Sequence, residues 1–187
     1  MAGRVYITGF AQLKANLRNE LGNMKFAGME GMTEAADMIG KAMVTEIPTI
    51  PKDLGNLRKS WFIVNSAGVR RGKGGGFIGP DATELNAAHQ GALAKAKTET
   101  KSASNVNVLM GFSSPYAIWA HEMPVGTQWS ETGSGAKFFE KALKVKRTEI
   151  LKIVQRAYLL KGFGKTAARK GMSYSKEFRS QQFISPT

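Results

Sequence analysis

The apolar residues between Phe10 and Met43 recur every three or four positions, and the pattern stops at Pro48. Phe10, Leu13, Leu17, Leu21 and Met24 form one stripe; Met32, Ala35, Ile39 and Met43 continue it. That spacing is the period of an amphipathic helix. Proline lacks the amide hydrogen a helix needs and pushes the preceding residue towards extended backbone. The helix must therefore end ahead of Pro48, and the connection through Pro51 is extended. Gly22, Gly28 and Gly31 each cost about 1 kcal/mol in a helix interior, which predicts a break or kink between the two stretches. Nine methionines raise the idea of a soft binding groove. At helical spacing they read as core filler.

The period changes after Pro51. Trp61 to Ser66 is bulky and β-branched, as strands are, and residues 105–112 place Val106, Val108, Met110 and Phe112 on one face. Tyr116 to Glu122 fits a third strand or a short helix. Phe139, Ala142, Leu143, Ile150, Ile153, Val154 and Ala157 then form a C-terminal helical stripe, with Lys141, Lys144, Arg147, Lys152 and Arg156 on the remaining surface. Residues 70–104 are Gly-rich and then Ala-, Thr- and Lys-rich. They read as a long inter-strand excursion with at most a short helix near Thr83–Ala96. The expected fold is α+β: a mostly antiparallel sheet of three to five strands packed by a long N-terminal helix and a C-terminal helix. One domain is expected over residues 1–161, with residues 162–187 an extended arm.

Composition removes several function classes. The 187 residues contain no cysteine, so disulfides, thiolate metal sites and a cysteine nucleophile are excluded. No apolar run approaches the roughly 18 residues that span a bilayer, and Met1-Ala-Gly-Arg opens no signal peptide. The sequence thus reads as a soluble protein made and used without secretion. The formal charge is +13, unevenly spread. Residues 102–136 hold no Lys or Arg and two acids, Glu122 and Glu131, whereas residues 137–187 hold 13 Lys and Arg against three acids. A basic C-terminal half suits phosphate or an acidic protein surface, and equally a solvated helix face.

No motif announces catalysis. Gly74-Gly-Gly-Phe-Ile-Gly79 matches a dinucleotide fingerprint in letters only, because it follows Arg70-Arg-Gly-Lys73 and runs into Pro80 instead of opening a helix. Gly162-Phe-Gly-Lys-Thr166 lacks the first glycine of a phosphate loop, that position being Leu159. His89 and His121 have no partner at metal-ligand spacing, and the acids form no catalytic pair. The expectation is no enzyme activity, no cofactor and no metal. Aromatics among the C-terminal basic residues could stack on single-stranded nucleic acid, but serve more often as packing anchors.

Three segments in order form a family pattern: the helical region ending at Pro48 followed by Gly55-Asn-Leu-Arg-Lys-Ser60; Pro115-Tyr-Ala-Ile-Trp-Ala-His-Glu122 followed by Gly126-Thr127; and Ala136-Lys-Phe-Phe-Glu-Lys-Ala-Leu143. Over residues 8–158 the chain resembles the neck family of tailed double-stranded DNA phages, known as head–tail joining, tail-completion or minor tail components. It departs from the family pattern at Leu54, where Thr usually precedes the glycine. Met123-Pro-Val125 lengthens the gap before Gly126, and Ala136-Lys137 replaces the usual proline. The resemblance implies a structural virion protein forming a homomeric, hexameric ring that completes the head–tail joint and leaves an axial channel for DNA. Its partners would be other copies of itself, the connector, and tail terminator or tail tube proteins. Genomic DNA would pass without sequence-specific binding, no membrane would be involved, and assembly would occur in the host cytoplasm. The alternative is a basic, non-enzymatic nucleic-acid-binding protein.

Within that frame Gly55 is expected at positive φ, Leu57 under the core, and Trp61 at the start of the first strand. Arg58 and Lys59 would project towards a neighbouring subunit or DNA. His121 and Glu122 are expected at a strand end or subunit boundary. Phe163, Tyr174, Phe178 and Phe183 would anchor the arm on an adjacent subunit or ring.

Overall fold

Helix α1 runs uninterrupted from Phe10 to Thr45, 36 residues or about 54 Å. The structure is a computed structural model and describes residues 10–103, 107–124 and 126–159. The expected break at the glycines is absent, and the reason is steric. A Cβ on Gly31 would lie 2.7 Å from the Cβ of Ala157, Gly28 lies beneath the Tyr158 ring, and Gly40 lies beneath Trp61. These glycines let neighbouring elements approach the helix backbone, and packing stabilises a helix more than intrinsic propensity does. Gly22 touches nothing within 4 Å.

Among the α1 residues whose side chains are described, the buried ones fall in its second part. Ala27, Met29, Ala35, Ala36, Ile39, Ala42 and Met43 join the core, whereas Leu17, Leu21 and Phe26 are half exposed. As required by Pro48, the helix stops at Thr45. The next residues thread past the 131–135 loop, where the amides of Thr49 and Gly135 exchange hydrogen bonds with the carbonyls of Gly133 and Thr49.

Helix α2 (Asn56–Ser60) delivers the chain to β1 (Trp61–Asn65), which turns back as β2 (Gly68–Arg71). The sheet is antiparallel, in the order β2-β1-β3, with β3 (Val108–Phe112) pairing Trp61 with Phe112 and Asn65 with Val108. All five residues of β1 are buried. Trp61 and Ile63 pack with α1 and with Phe138 and Ala142, while Phe62 and Val64 pack with Leu93 and Ala96 on the opposite face. A strand covered on both faces reads as a continuous apolar run, as Trp-Phe-Ile-Val does.

The opposite cover is the main correction to the sequence reading. In place of an excursion with a short helix, residues 72–80 form a glycine-rich link and α3 extends from Ala82 to Ser102, 21 residues. Leu85, His89, Leu93, Ala96 and Thr100 form its buried stripe. Tyr116–Glu122 resolves as a short helix, α4 (Ala117–Glu122), and α5 (Phe138–Ala157) packs along α1. The fold is α+β.

Candidate interaction surface

At the Gly55 corner each residue has a structural task. Gly55 adopts φ 81°, as expected for the turn into α2. Asn56 holds the glycine-rich link by two bonds: its Nδ2 donates to the Ile78 carbonyl at 2.8 Å, and the Ile78 amide donates to its Oδ1 at 3.0 Å. Leu57 is buried, and Ser60 donates its hydroxyl to the Leu57 carbonyl.

Arg58 does not project freely. Its Nε donates to the Ile50 carbonyl at 2.8 Å, and its guanidinium pairs with the Glu131 carboxylate. It fastens the Pro48–Pro51 connection and the 131–135 loop to α2. Lys59 is the exposed member, with Nζ donating to the Gly76 carbonyl at 3.1 Å.

His121 and Glu122 lie at the C-terminal end of α4, and not at a strand end. Lys137, which sequence reading did not single out, joins this end to α5. It holds a left-handed backbone conformation, φ 58°, unusual for a residue with a side chain. Its amide donates to the His121 carbonyl at 2.9 Å. Its ammonium pairs with Glu122 and, at 3.5 Å, with Glu140. Glu122 also meets His121 Nδ1 at 2.8 Å. The Lys137 hydrogen bond, followed by that of His121, holds the Glu122 carboxyl below the ordinary carboxylate range. In turn, Glu122 raises the Lys137 ammonium above the usual lysine range.

The ligand atoms of His121, Glu122 and Glu140 lie within 4.8 Å of one another, the spacing of a cation site. The Lys137 ammonium is bonded to both carboxylates, so a metal ion would have to displace a charge already in place. The arrangement is that of an ion-pair network.

Beside this network is a groove of about 450 Å³ between the end of β3, α4 and the start of α5. Met110, Phe112, Ile118, Phe138 and Phe139 form apolar walls. Ser114 is 4% exposed, and its Oγ has no hydrogen-bond partner among the described residues; neither does the buried Nε2 of His121. Ile118 on the groove wall and Trp119 outside it are 68% and 73% exposed. Adjacent large apolar side chains left in water mark a contact surface. The proposed arm residues Phe163, Tyr174, Phe178 and Phe183 lie outside the described residues.

The basic stripe of α5 is open: Lys141, Lys144, Arg147 and Lys152 are exposed, interspersed with Leu151 and Val145. Among the described residues no helix is long and apolar enough to cross a membrane.

Sequence reading found the corner and the 115–122 and 136–143 segments. It missed Glu131, Lys137 and Ser114, whose parts depend on contacts between those segments. The left-handed turn at Lys137 carried no glycine to signal it. In comparison with protein-family models, curated proteins and solved structures, the chain matches none.

Proposed function

We propose that this protein is a structural subunit of a homomeric ring in the neck of a tailed double-stranded DNA phage, completing the head–tail joint around an axial DNA channel. The observation that carries the reading is the outer part of α1. From Lys14 to Lys25 every residue but the partly buried Glu20 and Met24 is exposed, the large apolar Leu17 and Leu21 included. A stretch of about twelve helical residues so exposed draws little stability from packing, and a covering partner would supply it. Repeated copies of the chain provide one.

The three sequence segments behind the resemblance also meet in space. Leu57, Trp61, Ala117 and Phe138 share one core cluster, and the backbone bond between Lys137 and His121 joins the second segment to the third. The ring reading places the protein in the virion, with the connector and tail proteins as neighbours and no catalysis.

Imaging and native mass measurement of the purified protein test this. Closed rings are expected, and a monomer persisting at high concentration in physiological salt overturns the proposal. The exposed basic stripe of α5 favours one second reading, a non-enzymatic nucleic-acid-binding protein. In that case affinity for DNA falls steeply as salt rises, because binding releases counterions. Assembly through apolar contacts lacks that dependence.

A further inference from the structure

We infer that the groove beside α4 accepts the C-terminal segment, residues 160–187, of a neighbouring copy of this chain. The inference rests on the ring reading for the presence of that neighbour.

The groove has the features of a site for an extended peptide. Its walls, Met110, Phe112, Ile118, Phe138 and Phe139, suit an apolar or aromatic side chain. Ser114 and His121 line it, and each keeps a buried side-chain atom, Oγ and Nε2, that has no hydrogen-bond partner among the described residues. Unpaired buried polar atoms are costly, and a side-chain shift that opened either one to the groove would let a peptide backbone pair it, since that backbone carries both a donor and an acceptor. The neighbouring strand β3 pairs only with β1, so its other edge has no strand partner among the described residues. An open strand edge beside a side-chain pocket is the arrangement by which sheets take up an added strand.

Charge and composition favour the C-terminal segment as occupant. Residues 160–187 carry six Lys and Arg against one acid, together with Phe163, Tyr174, Phe178 and Phe183. Much of the groove comes from the 102–136 stretch, which has no Lys or Arg. Glu122 lines the groove and shares a single lysine, Lys137, with Glu140 beyond it, which leaves one negative charge in excess over the three.

The segment starts far from the groove of its own copy, which it could reach only by doubling back along α5. α5 begins at the groove, with Phe138 and Phe139 in its wall, and after 20 residues ends about 30 Å away, near Gly28 of α1. The last described residue, Leu159, therefore lies at the end of the domain opposite the groove. A donor at one end and an acceptor at the other give head-to-tail association, which generates closed rings or stacks instead of two-fold pairs.

The test uses two full-length versions, co-expressed. One carries the photo-reactive residue benzoylphenylalanine at Ile118; the other carries no probe, and its segment is mass-marked by Ser180→Thr. After illumination, cross-linked peptides from residues 160–187 are expected, about half of them bearing the mark. A control probe at exposed Leu151 should give at least fivefold less of this product. Replacing Phe178 and Phe183 with Ser should lower the Ile118 product at least fivefold. Cross-links to another part of the chain, cross-links only to unmarked segments, or a yield unaffected by the Phe replacements each overturn the inference. Native mass of the unprobed protein is read separately. A ring without the marked cross-link removes only this inference, whereas the marked cross-link in a species too small to be a ring removes only the ring reading.

Discussion

Arg58 and Glu131, 73 residues apart in sequence, form an ion pair that ties α2 to the loop preceding α5. The Arg58 side chain is 21% exposed and also donates to the Ile50 carbonyl, so one guanidinium serves both segments. Arg58→Ala should destabilise the fold by about 1–2 kcal/mol, above the usual value of a surface pair because a charged donor is lost from a backbone carbonyl. Arg58→Lys should recover less than half, since an ammonium cannot reproduce the fork. Denaturant unfolding of both variants and of Glu131→Ala, combined as a double-mutant cycle, measures the coupling. A coupling indistinguishable from zero contradicts the fastening role.

Gly55 and Gly22 make opposite predictions from the same residue type. Nothing lies within 4 Å of a Cβ at Gly55, but its φ is 81°, so Gly55→Val pays in backbone conformation alone, about 1–2 kcal/mol or more for a β-branched residue. Gly22 lies in an open helical stretch, and Gly22→Ala should stabilise by about 0.5–1 kcal/mol. Thermal melts of the two variants should shift in opposite directions.

Gly40 should tolerate no side chain. Any Cβ there enters the Trp61 ring, which is 2% exposed and has no room to retreat. Gly40→Ala should cost at least about 1–3 kcal/mol through overpacking, despite the better helix propensity of alanine. Loss of stability together with altered Trp61 fluorescence is the expected result; a gain in stability contradicts the close packing.

The Glu122–Lys137 pair predicts a window of pH. Glu122 has its carboxyl lowered from 4.5 when folded, so its contribution is complete above 4.5 and is lost as pH falls through the folded value. Lys137 is raised from 10.5, so its contribution is present below 10.5 and is lost only as pH rises through the folded value. Carbon NMR titration of the Glu122 carboxyl should therefore give a midpoint below 4.5, and Lys137→Met should return it towards 4.5. An unchanged midpoint in the variant contradicts Lys137 as the main cause.

The α+β arrangement was legible because its strongest determinants are local. Pro48 ends a long apolar stripe, Trp61 to Val64 is too apolar for a strand with a wet face, and Phe139 to Ala157 repeats at helical spacing. α3 was less legible because two of its buried positions, His89 and Thr100, are polar. Each has a partner outside the helix: His89 pairs with the Gly72 carbonyl and Ser113 Oγ, and Thr100, besides bonding Ala96 in its own helix, donates to the Asn65 carbonyl. Burial of such groups depends on partners that a linear pattern does not show. The same limit applied to Arg58, which looked like a free charge until Glu131 was brought beside it. The glycines of α1 misled for a related reason, since their cost is intrinsic to the helix while their benefit lies in α5 and Trp61.

The continuity of α1 has a mechanical consequence. A rod about 54 Å long, clamped to the core over its second part and exposing Leu17 and Leu21 in its first, is a lever. Close-packed interiors transmit strain. A lateral push on Leu17 or Leu21 therefore reaches Gly40 and the Trp61 ring resting on it, and through Trp61 the central strand. Contact made on the exposed stretch of the helix is felt at the middle of the sheet.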